Sequence, residues 1–201
     1  MAQLISLATP RGRTAATIPL AVALLFCLLA AGSALAATPQ PKTKIPAQAN
    51  AVRVLADATY YDTLAALIKN ATQRIDLAMF LFKTSPARDN LPAGIVKELV
   101  AARKRGVAVR VILEHSSHDQ SLNRENQETA QALKKGGIAV FFDSPDRTSH
   151  AKLAVIDRRY CLVGSHNLTQ SALKYNHELS LLLDNPPLAE EILAYMETIL
   201  Q

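Results

Sequence analysis

His150-Ala151-Lys152-Leu153-Ala154-Val155-Ile156-Asp157 sets a histidine and a lysine two residues apart, with an aspartate five residues beyond the lysine. Gly164-Ser165-His166-Asn167 begins seven residues after Asp157, and Glu178 lies eleven after Asn167. Side chains at i and i+2 of a strand share a face. His150 and Lys152 are therefore expected to project together from the start of one strand. A neutral imidazole beside a fixed ammonium suits attack on a phosphorus that carries anionic oxygens. The imidazole supplies the nucleophile. The ammonium offsets charge on the phosphoryl oxygens as the transition state forms. Asn167 can donate an amide hydrogen bond to the same oxygens, and Ser165 a hydroxyl. A carboxylate such as Glu178 on the far ring nitrogen would fix the tautomer and stabilise the imidazolium. Asp157, taken alone, reads as a turn residue.

The pattern resembles the phospholipase D superfamily. His150, Lys152 and Asp157 match its HKD motif, and Gly164, Ser165 and Asn167 match its downstream G-S/G-x-N element. H-x-K alone would be weak, whereas the motif pair is specific. The resemblance covers residues 51–201, including RIDLAMFLFKTS, KRGVAVRVILE and NHELSLLL, and is to the small, single-motif bacterial endonuclease branch. Arg158 departs from it, since many members have glycine after the motif aspartate. The resemblance implies an α/β fold, a mixed β-sheet flanked by helices with one HKD motif per chain. It implies a phosphodiesterase whose motif histidine attacks the phosphodiester and forms a phosphohistidine. The histidine of a second subunit would protonate the leaving oxygen and then activate water. The catalytic set would be His150, Lys152, Asp157 and Glu178, with Asp157 orienting rather than reacting. Lys152, Ser165 and Asn167 would bind the substrate phosphate. No metal and no cofactor are implied. The implied partners are a second copy of the chain, forming a homodimer with a shared active site, and a nucleic acid substrate. A phospholipid head group is the alternative.

The elements that must position these residues alternate. Ala51–Leu55 alternates apolar and basic residues, and Tyr61–Asn70 has helical spacing. Strands are expected at Arg74–Phe82, Val107–Leu113, Ile138–Phe142 and His177–Leu183. Helices are expected at Pro92–Arg105, Glu125–Lys135 and Leu188–Leu200, the first two closing at glycines. Leu153–Ile156 and Tyr160–Val163 flank a short turn and read as a hairpin. Strands alternating with helices, followed by a hairpin, point to an α/β sandwich with a mixed sheet.

Composition agrees with one such domain. The 201 residues are 49% hydrophobic and 19% charged, which excludes a disordered tail, a collagen or a coiled coil. Two cysteines exclude a disulfide-stapled scaffold. Cys161 sits in an apolar run and reads as a small hydrophobe. Arg11 and Arg13, the apolar stretch Ile18–Ala31 and Ala34-Leu35-Ala36 describe a signal peptide over residues 1–36. Residues 37–50, with three prolines, read as a flexible linker to the domain at 51–201. Such a chain is exported, periplasmic or secreted, and keeps no stable membrane span after cleavage. Its net charge of +5 is compatible with an anionic partner without identifying one. Arg103-Lys104-Arg105 suits a helix C-terminus. His115 and His118, even combined with His166 and His177, lack a cysteine partner or an H-E-x-x-H spacing, so no metal site is expected.

Overall fold

A computed structural model describes residues 51–200. The signal peptide and the linker expected at 1–36 and 37–50 lie outside the described residues. Along the chain run β1 (Ala51–Ala56), α1 (Thr59–Asn70), β2 (Arg74–Met79), α2 (Leu91–Lys104), β3 (Ala108–Leu113) and α3 (Gln120–Lys135). They are followed by β4 (Ala139–Phe142), β5 (Lys152–Ile156), β6 (Tyr160–Gly164), α4 (Gln170–Lys174), β7 (Leu179–Asp184) and α5 (Pro186–Thr198). The strands form one sheet in the order β1-β7-β6-β5-β2-β3-β4. β2 and β3, and β3 and β4, pair in parallel, while the other neighbours are antiparallel. This is the mixed sheet flanked by helices that the sequence predicts.

The continuous apolar runs occupy the middle of the sheet because they are covered on both faces. In β2, Ile75, Leu77 and Met79 enter a large core with Leu64 and Leu67 of α1, Ile95 and Leu99 of α2, and Leu133 of α3. Ala78 points the other way, into a smaller core where Leu153, Val155 and Cys161 meet Ala189, Leu193 and Met196 of α5. The alternating strand β1 lies at an edge, and its Val52 and Val54 are exposed.

Two departures from the expected boundaries shape the site. β2 ends at Met79 rather than Phe82, because a side chain takes over from the sheet. The Phe82 N–H donates to Asn126 Oδ1 of α3 at 2.9 Å, and Asn126 Nδ2 donates to the carbonyls of Phe80 at 2.9 Å and Glu114 at 3.0 Å. α3 begins five residues before Glu125, since Asp119 caps it by accepting from the N–H groups of Ser121 and Leu122. Its polar first turn carries no apolar period. α4 was not expected, and β7 begins at Leu179 rather than His177.

The pairing register brings distant segments to one end of the sheet. Met79 is opposite Lys152 and Leu113, and Leu113 is opposite Phe142. Leu153 is opposite Val163, and Gly164 opposite Ser180. The ends of β2, β3, β4 and β6 and the starts of β5 and β7 therefore share one rim, where strand ends of α/β sheets commonly bind ligands.

Candidate active site

Lys152 opens β5 and is 7% exposed, whereas His150, in the loop before it, is exposed. The Lys152 ammonium lies 3.2 Å from His150 Nδ1 and donates to the His150 carbonyl at 2.8 Å. The Phe80 ring packs against both: its centroid is 4.5 Å from the His150 ring and 4.8 Å from Lys152 Nζ. This aromatic face favours the cation on its open side. An ammonium can only donate, so Nδ1 accepts and the neutral ring carries its proton on Nε2. Burial, reinforced by the Lys152 charge, holds His150 below its ordinary value, so the ring is neutral at pH 7. Burial also lowers Lys152, and the Glu178 carboxylate opposes that shift. Phe80 was not singled out in the sequence, where it is one apolar residue among many.

The segment after β6 passes beside the start of β5. Gly164 is required there by close approach: a Cβ would lie 2.2 Å from Ser180 Oγ and 2.4 Å from Ser180 Cα. Ser165 Oγ donates to the Glu178 carboxylate and accepts from the Leu179 N–H at 3.1 Å. Asn176 Nδ2 donates to the other Glu178 oxygen at 3.1 Å. Asn167 Oδ1 is buried without a hydrogen-bond partner.

Two expected placements are corrected. Glu178 was assigned to the far nitrogen of His150, but in the chain alone its carboxylate is taken by Ser165 and Asn176, and Lys152 occupies Nδ1. Asp157, implied to belong to the catalytic set as an orienting residue and read alone as a turn residue, sits at the opposite end of β5. Four intervening residues of strand, at roughly 3.3 Å each, keep it far from Lys152. Its carboxylate accepts from the N–H groups of Thr72, Gln73 and Arg74 and from Thr72 Oγ1, at 2.8 to 3.2 Å. It staples the β5–β6 turn to the loop before β2. Asp157 and Arg158 both have φ of 53°, the left-handed region that glycine enters at no steric cost. We expect Asp157→Ala to cost about 3 kcal/mol of stability, since several hydrogen bonds to a charged acceptor are lost. Denaturant melts and activity per folded molecule separate that loss from a direct chemical one; a large fall in kcat of fully folded protein would return Asp157 to the chemistry.

The remaining histidines are structural or isolated. His166 is fully buried and stacked on Tyr60, with ring centroids 4.3 Å apart. Its Nε2–H donates to the Asp57 carbonyl at 3.0 Å, so Nδ1 accepts from Ser180 Oγ at 2.7 Å. His177 is exposed near Asp57, and His115 lies edge-on to Phe142. Among the described residues, His115, His118, His166 and His177 form no metal-binding group. Glu114 and Asp143, which no sequence pattern marks, reach the same rim and are treated below.

Residues 64–200 match the family model described as "Cardiolipin synthase, PLD-like domain". The chain belongs to the phospholipase D superfamily. It is 32% identical over 99 residues to a protein named phospholipase D from Rickettsia felis, a match covering 49% of this chain and 47% of that one. The chain spans about half the length of the curated relatives it matches. Among solved structures it resembles Nuc from Salmonella typhimurium, a phospholipase D family member, with 26% identity and a TM-score of 0.62. That match covers 74% of this chain and 93% of Nuc. NucT from Helicobacter pylori, at 19% identity and a TM-score of 0.58, shares the fold over 75% of this chain and 95% of its own. This PLD-like domain therefore carries His150 and Lys152 on the rim of a family fold and Asp157 at the other end of β5.

Proposed function

We propose that the chain hydrolyses phosphodiesters without a metal, through a phosphohistidine on His150, and that its substrate is nucleic acid cut without sequence preference. The observation that carries this reading is the exposed, neutral His150 ring held 3.2 Å from a buried ammonium. Nε2 attacks phosphorus, the bond to the leaving oxygen breaks, and that oxygen takes a proton from a second histidine. The same second histidine then removes a proton from water, which attacks phosphorus and releases Nε2. Lys152 and Asn167 hold the phosphoryl oxygens, with Ser165 beside them.

The chain has one H-x-K. His166, the buried neighbour in the second motif element, has both nitrogens engaged, so it is poorly placed to serve as the acid. A two-fold homodimer supplies a second His150 across one phosphate. It also supplies a change in partners for Nδ1, which Lys152 holds in the lone chain and which must carry the proton when Nε2 attacks. An exported, periplasmic or secreted place of action belongs to the same proposal.

Nucleic acid is favoured by what lies beside the motif loop. A depression of about 310 Å³ there is lined by Ser144, Arg147, Thr148, Ser149, Tyr195, Thr198 and Ile199. Arg147 and the hydroxyls supply donors that a sugar-phosphate chain can use. The alternative, a phospholipid head group, is favoured by the names of the Rickettsia relatives. The test is parallel incubation with plasmid DNA, RNA and phosphatidylcholine vesicles in excess chelator. We expect nicked DNA or degraded RNA at a rate the chelator leaves unchanged. Choline release without nicking transfers the reading to lipid. Activity lost to chelator and restored by Zn²⁺ or Mg²⁺ overturns the metal-free mechanism.

A further inference from the structure

Glu114 follows the last residue of β3, and Asp143 follows the last residue of β4. These strands are parallel neighbours with Leu113 opposite Phe142, so the two carboxyls emerge side by side at the rim. Both residues are buried, Glu114 at 1% and Asp143 at 6% exposure. They converge on one donor. The Ser149 N–H donates to Glu114 Oε2 at 2.6 Å and to Asp143 Oδ2 at 3.2 Å. Asp143 Oδ1 also accepts from the His115 N–H at 2.5 Å. Glu114 Oε1 is buried without any donor, and Glu114 Oε2 and Asp143 Oδ2 meet at the one Ser149 N–H.

Among the described residues, no lysine or arginine acts on the Glu114 carboxyl. α3 presents Asn126, whose amide goes to the Glu114 backbone carbonyl, and Asn123, which bonds Ser116. β2 presents the Met79 carbonyl to the Glu114 N–H. The His115 ring faces Phe142, and the His150 ring faces Phe80 and Lys152. Asp143 is the charged group that acts on Glu114, and it acts with the same sign. Two buried carboxylates that meet at one N–H, with only the His115 N–H besides, strongly disfavour double ionisation.

We propose that Glu114 and Asp143 share one proton and together position the Ser149-His150 backbone, so that the aim of the His150 ring depends on that proton being present. The proposal rests on the function argued above, and it concerns positioning rather than contact with substrate. Burial first, and then the Asp143 hydrogen bond, raises Glu114 to about 7. Below that pH the pair carries one charge and grips the Ser149 N–H. Above it a second charge forces the carboxyls apart. A carboxyl whose folded value lies above its ordinary 4.5 adds stability that is complete below about 4.5 and is lost as pH climbs through about 7.

Glu114→Gln keeps the shape and carries a permanent N–H in place of the shared proton. The experiment measures melting temperature and kcat on a generic phosphodiester for wild type and Glu114→Gln from pH 5 to 8.5. We expect the melting temperature of Glu114→Gln relative to wild type to rise by about 4 °C across this range. The kcat ratio of variant to wild type cancels titrations the two proteins share. We expect it to rise at least about threefold with a midpoint near 7, as a titration shifted to that value requires. Asp143→Asn removes the second charge and gives the same direction of change in melting temperature, which keeps the test open should the glutamine variant fail to fold. A melting difference that is flat with pH overturns the shared proton. A rising melting difference with a flat kcat ratio overturns the positioning role. If no phosphodiesterase activity is found in any of the proteins, the melting curves still decide the shared proton, and it is the proposed function that fails.

Discussion

His150→Ala lowers kcat by at least about 10³-fold, because the covalent route disappears with its nucleophile. The fold is indifferent to the change. The ring is exposed, and its contacts are the face of Phe80 and the end of Lys152. Melting temperature should therefore stay near that of wild type while turnover collapses. The same variant tests the shared site. Re-associating equal amounts of wild-type and His150→Ala chains yields about one quarter wild-type homodimers by random two-fold pairing. If both histidines of a dimer are essential, activity per chain falls to about that quarter. A fall to one half, or full activity in a verified monomer, removes the second subunit from the mechanism.

Lys152→Met lowers kcat by about 10²- to 10³-fold, the scale lost when one charge-stabilising donor is deleted. Methionine keeps the apolar stem against Phe80 and removes the ammonium. A second signature distinguishes this from general damage. The Lys152 charge helps hold His150 below its ordinary value. Without it the ring gains protons more readily, so the acid limb of the pH profile moves to higher pH. Measuring kcat/KM from pH 4 to 8 in both proteins checks the sign. An acid limb that stays in place, or moves to lower pH, would show that Lys152 does not set the charge state of the nucleophile.

The chemistry was legible where it depended on local spacing. His150 and Lys152 are two residues apart at a strand start, and the structure brings them into contact as that spacing requires. Gly164 was legible as part of a motif, although its reason, the approach of Ser180, belongs to another strand. What depends on partners chosen in three dimensions was not legible. The Glu178 carboxylate is held by Ser165 and Asn176, and nothing local says that Ser165, thirteen residues away, takes it. Asp157 lies five residues from Lys152, and only a strand's fixed rise says that this distance carries it out of the site. Glu114 and Asp143 are 29 residues apart and meet because β3 and β4 are parallel. The mixed sheet was readable from the order of apolar runs. The end of β2 was not, because an asparagine on α3 closes it.

The order of the strands also dictates when the rim can exist. β2 finds β3 nearby in sequence, but its other neighbour, β5, lies beyond two helices and a further strand, and β1 must wait for β7. Long loops have to close before those pairings contribute anything, which makes such topologies slow to fold. The motif lysine begins β5, and the segments bearing Asn167 and Glu178 are secured only by β6 and β7. A ribosome-bound chain that has not yet released Leu179–Asp184 can hold a half-sheet with its helices in place. It lacks the strand that carries Glu178 to the rim, so the site is completed only by the last pairing the sheet makes, that of β7 with β6 and β1.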